Sequence, residues 1–229
     1  MNVKISKEQH ECLSKLEYKE YVFGSKLHGI STKNSDFDYV RVIKDDFYSE
    51  FVTLAIYLPN IHSWQYDDKI NNSQYVWMTN KQFYQNLFSG DGGMIADIVL
   101  LSGEFENPLF LCSTYKIIKA YLGVAKRDLK LHGNLDKKKF HALRSLYMAE
   151  KLMNGELPTI DGIKLLNNNY NGCYLPSKES LIARELELRT KLNEILNSRE
   201  ITLYPQFIEN NDLVQIMVNS NHITEFKYD

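Results

Sequence analysis

The chain has 229 residues, 44% hydrophobic and 24% charged, a balance that excludes a disordered or fibrous protein. A formal net charge of -2 excludes a grip on long nucleic acid spread over many phosphates, so any nucleic-acid contact is expected to be local. Cys12, Cys112 and Cys173 lie far apart with no CxxC pair and read as buried or incidental thiols. The polar amino terminus lacks the apolar core of a signal peptide, and no run is long enough to span a membrane, so a cytoplasmic protein with no membrane contact is expected.

Taken in chain order, residues 6–18 have the pattern of a short amphipathic helix, and the N-terminal stretch before it is read with it as polar and helical. The apolar tripeptide 21–23 predicts a strand that stops at Gly24 and Ser25. Residues 38–43 alternate as a second strand, and residues 51–58 and 75–78 supply two more candidates. The polar stretch 62–73 reads as a loop. From Asn80 the spacing becomes helical, with Phe83, Leu87 and Phe88 on one face before the break at residues 90–93. That break follows a helix and lacks a Lys-Ser/Thr, so it is a hinge or turn and not a phosphate loop. Ile95, Ile98, Val99 and Leu101 form another apolar cluster. Helices are predicted over 112–125, over 137–154 with a stop at Gly155, and over 178–197, with an Asn-rich loop at 167–172.

The segment that carries chemistry runs from Gly24 to Asp38. Asp36 and Asp38 are two apart at the start of a strand, and a period of two puts both carboxylates on one face. Like charges that close are costly unless a cation lies between them, and a hard ion such as Mg2+, with Mn2+ as the alternative, is held by one or two carboxylates plus substrate phosphate oxygens. Gly24 permits close backbone approach and the Ser25 hydroxyl can bind phosphate oxygens. The implied reaction is attack on an α-phosphorus with pyrophosphate leaving, where catalysis is mostly alignment and charge neutralisation. Standing alone, Asn34, Ser35, Asp36 and Asp38 would equally describe a solvated turn; the Gly24-Ser25 lead-in favours the metal.

Gly24-Ser25, Gly29 and Ser35-Asp36-Phe37-Asp38 together resemble the signature of the minimal nucleotidyltransferases in the DNA polymerase beta superfamily, matching from Gly24 through Asp38 without a gap. The resemblance implies an α+β core of about residues 1–105, with a mixed sheet and flanking helices, and a helical C-terminal lobe over residues 106–229. It implies Mg2+-dependent transfer of a nucleoside monophosphate from an NTP to an acceptor. A looser likeness to the nucleotidyltransferases associated with RNA ligases in bacteria and phages covers about two thirds of the chain, through residues 75–83 and 139–144. It implies an RNA end as acceptor; a protein side chain, as for antitoxin-like members, is the rival. Members of the superfamily add a third carboxylate from a neighbouring strand, and residues 73–79 contain none. Asp67 or Asp68 would have to supply it, failing which the chain would be a silent nucleotide or RNA binding module.

The remaining candidates flank this pair. Lys26, His28 and Ser35 lie within the motif and are expected to contact nucleotide, although His28 also suits an exposed helix position. Lys137, His141, Arg144 and Lys151 share one face of the predicted 137–154 helix. They read either as a solvated face or as a phosphate clamp in which Arg144 offers two parallel donors. Tyr39, Tyr66 and Tyr75 are read chiefly as packing residues that could also stack on a base.

Overall fold

In the computed structural model the described residues are 2–44, 63–90, 93–109, 111, 114–130, 135–172 and 176–197. The strand expected at residues 51–58, and Cys112 and Cys173, lie outside them. Five strands, β1 (Asn2–Lys4), β2 (Tyr18–Phe23), β3 (Phe37–Ile43), β4 (Ser63–Asp68) and β5 (Ser73–Thr79), form one sheet in the order β1-β4-β5-β3-β2. The sheet is mixed. β1 runs parallel to β4 and β3 parallel to β5, while β2 with β3 and β4 with β5 are antiparallel. Its helices among the described residues are α1 (Lys7–Leu13), α2 (Gly24–Leu27), α3 (Asn80–Ser89), α4 (Gly93–Leu101), α5 (Thr114–Lys130), α6 (Leu135–Met153), α7 (Ile160–Gly172) and α8 (Lys178–Asn197). The fold is α+β. None of these helices is long and apolar enough to cross a membrane.

Strand alternation sorts the sheet into two differently covered faces. Tyr21, Val40, Val42, Val76 and Met78 point to one side and join a core that continues through α3, α4, α5 and α6 to Leu181, Leu188 and Leu192 of α8. Ile43, Trp64 and Trp77 point to the other, where Leu13 of α1 closes a smaller cluster. Burying each such aliphatic side chain contributes on the order of 2 kcal/mol. α5 buries Ile117, Ile118, Tyr121, Leu122, Ala125 and Leu129, a stripe at helical spacing that meets Ala142, Leu146, Ala149 and Leu152 of α6.

Three expectations are corrected. The stretch read as a loop at 62–73 contains β4: Trp64 is buried and Gln65 pairs with Val76, so a strand with polar alternate positions fits between two neighbours. The supposed loop at 167–172 is the end of α7, which is capped by the Thr159 hydroxyl accepting from Gly162 N–H at 3.0 Å and anchored by fully buried Ile163. The helix continues through this stretch despite the low helix propensity of asparagine. At the amino terminus, residues 2–4 form β1 and α1 ends at Leu13, with Ser6 and Gln9 making a reciprocal cap at its start.

The step from β5 into α3 depends on Thr79, which is buried and accepts from Gln82 N–H at 3.1 Å while the Gln82 side chain accepts from Thr79 N–H at 2.9 Å. Thr79→Ala is expected to lower the unfolding free energy by about 1–2 kcal/mol, measured by urea denaturation with an unchanged slope; a loss below ~0.3 kcal/mol would remove this cap as a stability element.

Candidate functional site

β2 arrives at Phe23 in extended conformation, and Gly24 turns the chain at φ +67° into the single turn α2. The register pairs Phe23 with Asp38, so the corner is brought against the Asp38 side chain. A Cβ built on residue 24 would lie 2.2 Å from Oδ2 of Asp38, far inside van der Waals contact. Backbone bonds from His28 N–H to the Gly24 carbonyl at 3.1 Å and from Ile30 N–H to the Ser25 carbonyl at 3.0 Å close the turn. Gly29, also at φ +67°, lets α7 approach, since a Cβ there would meet Lys164 Cε at 2.5 Å.

Asp38 shares its face of β3 with Val40 and Val42 and is half-buried. Asp36 lies just before the strand and is exposed; its Oδ1 accepts from Asn72 Nδ2 at 2.9 Å. Phe37 N–H donates to the Asn72 carbonyl at 3.0 Å, which fixes both loops at this end of the sheet. Burial first, and the charge of Asp36 second, push the Asp38 carboxyl above its ordinary value, while Lys137 of α6 pulls it down. Asp36 therefore acts on Asp38 through its charge, although it precedes β3 and strand alternation does not fix its side. A paired, partly desolvated carboxylate set of this kind fits a hard divalent cation completed by phosphate oxygens. Among the described residues no three His, Cys, Asp or Glu side chains converge into a metal-binding group.

The position opposite Asp38 on the adjacent strand β5 is Gln74, and the next position outward on β4 is Asp67. Gln74 Nε2 donates to Asp67 Oδ1 at 3.0 Å, and Lys4 Nζ donates to Asp67 Oδ2 at 3.2 Å. Asp67 shares the face of Asp38, but a neutral amide stands between them. Asp68 alternates to the opposite face and holds the turn, accepting from Asn71 Nδ2 and from Ile70 N–H. Hydrogen bonds to Gln74 and Asn71 hold Asp67 and Asp68, respectively, below the usual carboxylate range.

His28 is buried, 2% exposed, and is not the exposed helix histidine its position allowed. Arg144 can only donate, so its contact at 3.2 Å makes His28 Nδ1 the acceptor and leaves Nε2–H to donate to Asp97 at 2.9 Å. Tyr121 donates to the other Asp97 oxygen at 2.5 Å. This chain of polar groups joins α2, α4, α5 and α6 beneath the corner, and half-buried Arg144 is its outermost member. His141, one turn earlier on α6, lies 4.0 Å from Asp128. Arg144 thus reaches His28 and Lys137 acts on Asp38, whereas His141 lies against Asp128 of α5 and Lys151 pairs with Glu156 at the far end of α6. Lys26 Nζ stands over the Phe37 ring at 2.6 Å, and the Ser35 hydroxyl accepts from Thr32 N–H at 2.8 Å, organising the loop before β3. Cys12 is free and exposed.

Asp97, Tyr121, Gln74 and Asn72 were absent from the residues expected at the site. Asp97 carried a signal, being the one acid in the apolar run GMIADIVLL of α4; the others become visible only through register and packing. No protein-family model matches the chain, and comparison with curated proteins finds no match.

Burial first, then the positive charge of Arg144, lowers the His141 pKa from 6.5 to about 4. The unfolded chain therefore binds the proton more readily, so this group's stability contribution is complete above pH 6.5 and is lost as pH falls toward 4. Urea unfolding of the protein at pH 7.5 and pH 5 should show a loss on acidification that His141→Gln reduces; an equal loss in both chains would contradict a neutral, half-buried His141.

Proposed function

We propose that this chain is a Mg2+-dependent nucleotidyltransferase that transfers a nucleoside monophosphate from an NTP to an acceptor, with an RNA end as the preferred acceptor. The observation that carries the reading is the Asp38 carboxylate packed against a Cβ-less, left-handed corner, with Asp36 and Lys137 near enough to shift its ionisation. The sequence from Gly24 to Asp38 supports the class, through its resemblance to minimal nucleotidyltransferases. The division into a catalytic part of about residues 1–105 and a helical part from 106 onward belongs to the same reading.

Asp36 and Asp38 would hold the ion, and the chemistry it would supply there is neutralisation of triphosphate charge. Gly24 lets the Asp38 carboxylate lie against the backbone of the corner, where any other residue would place a Cβ, and Ser25 follows at the same corner. Arg144, oriented by His28 and Asp97, and Lys137 supply positive charge from α6, with His141 alongside. Ser35 organises the loop that leads to Asp36, whereas the Lys26 ammonium stands over Phe37, on the other side of the strand end. In the reaction the acceptor hydroxyl oxygen bonds to the α-phosphorus and loses its proton to water. The bond to the β-phosphate oxygen breaks, and pyrophosphate leaves with the electron pair.

One observation favours a second reading. Gln74 occupies the position opposite Asp38 where an additional acid would stand, and an amide neither binds a second cation strongly nor takes a proton. On this reading the chain binds Mg2+ and nucleotide, or RNA, without turnover. Transfer to a protein side chain is the remaining rival, and labelled NTP separates it by whether label enters RNA or polypeptide.

Calorimetric titration with ATP and Mg2+ tests the site: Asp36→Ala with Asp38→Ala should lose Mg2+-dependent binding while melting as the parent does, and retained binding would remove both residues from it. Gln74→Glu separates the two readings. A silent module limited by the missing acid should gain about tenfold or more in pyrophosphate release, roughly 1.4 kcal/mol of barrier. A chain already competent with two carboxylates should release pyrophosphate before the change.

A further inference from the structure

The face of the sheet opposite Asp38 carries a row of aromatic rings that the nucleotide site does not use. Phe37 and Tyr39 alternate to this side of β3, Tyr75 lies opposite Tyr39 on β5, and Tyr66 opposite Tyr75 on β4. Ring centroids are 6.2 Å apart for Phe37–Tyr39, 5.3 Å for Tyr39–Tyr75 and 6.4 Å for Tyr75–Tyr66, with planes within 14–21° of parallel. All three pairs are stacked. α1 covers one end of the row, where His10 stacks on Tyr66 at 4.3 Å and accepts from Trp77 Nε1–H. The other end is open: Phe37 is 40% exposed and Tyr39 partly so.

Cations accompany the rings. The Arg41 guanidinium lies over Tyr75 at 4.3 Å while pairing with Glu20, and Lys26 lies over Phe37. Lys33 in the loop before β3 and Lys69 in the turn before β5 are exposed at the same open end. A flat sheet face with near-parallel rings, flush cations and lysines at its rim matches the chemistry of unpaired bases joined by phosphates. An apolar peptide would gain little from the cations. Phe37 and Asp38 are consecutive residues on opposite faces of one strand end, so a strand lying on the rings reaches the Gly24 corner by turning round that end.

We propose that this aromatic face binds single-stranded RNA and feeds its end to the Asp36–Asp38 site. The inference names the acceptor strand of the function proposed above and rests on that reading for its purpose, though its binding step is measured separately. Stacking is expected to dominate over phosphate contacts, which suits a chain of net charge -2.

The test is fluorescence anisotropy with a labelled mixed-sequence RNA dodecamer, without nucleotide, on the full chain. The parent protein should bind the single strand, Tyr39→Ala and Phe37→Ala should each weaken it by about tenfold, and Tyr39→Phe, which keeps the ring, should restore it. Asp36→Ala with Asp38→Ala should leave RNA binding in place, and calorimetry should find ATP–Mg2+ affinity intact in Tyr39→Ala. Loss of RNA binding in the parent with ATP binding intact would sink the aromatic face alone; loss of ATP binding with RNA binding intact would sink the nucleotide site alone. Equal binding by Tyr39→Ala, tighter binding of duplex RNA or of the DNA strand of the same sequence, or a dimer that Tyr39→Ala dissociates would each overturn the proposal.

Discussion

No side chain fits between residue 24 and the carboxylate of Asp38, where even a single methyl carbon would meet an oxygen at 2.2 Å. That close approach follows from three features of the chain: the register of β2 on β3, the positive φ that glycine adopts without cost, and an aspartate rather than a longer acid at residue 38. The result is an acid held half out of water beside another acid, with Lys137 of α6 offsetting the repulsion. Such an arrangement raises the energy of the ligand-free protein in a way that a bound cation and its phosphates relieve. The proposed chemistry depends on this relief.

The rest of the fold keeps that corner in place. On the helical side, His28 connects α2 to Asp97 of α4 and to Arg144 of α6, while Tyr121 of α5 completes the Asp97 contacts. Polar groups buried this deeply are costly unless every partner is supplied, so the network fixes one relative arrangement of four helices. Asn72, at φ 48°, performs a similar task from the sheet side, joining the β4–β5 turn to Asp36 and to Phe37 N–H. Asparagine is among the few residues that tolerate this backbone conformation.

Much of the candidate site was legible because its residues are local in sequence. Gly24, Ser25, Asp36 and Asp38 lie within one strand-turn-strand unit, and alternation places Asp38 on the face of Val40 and Val42. Helices α5, α6 and α8 were legible from apolar spacing. β4 was hidden because Trp64 and Tyr66 alternate with polar residues that pair between two strands, and the end of α7 because its asparagines disfavour the helix that runs through them. The roles of Gln74, Asp67 and Asp68 depend on register, which shows a neutral residue opposite Asp38 and sends adjacent acids to opposite faces. His28 likewise needed the fold, since its two partners are 69 and 116 residues away in sequence.

The most direct test of the account is a crystal structure grown with Mn2+ and a nonhydrolysable ATP analogue, read from the anomalous signal of the metal. The account requires a peak between the carboxylates of Asp36 and Asp38, with triphosphate oxygens lying against Gly24 and Ser25. Triphosphate bound elsewhere, or Mn2+ held away from both aspartates, would contradict it.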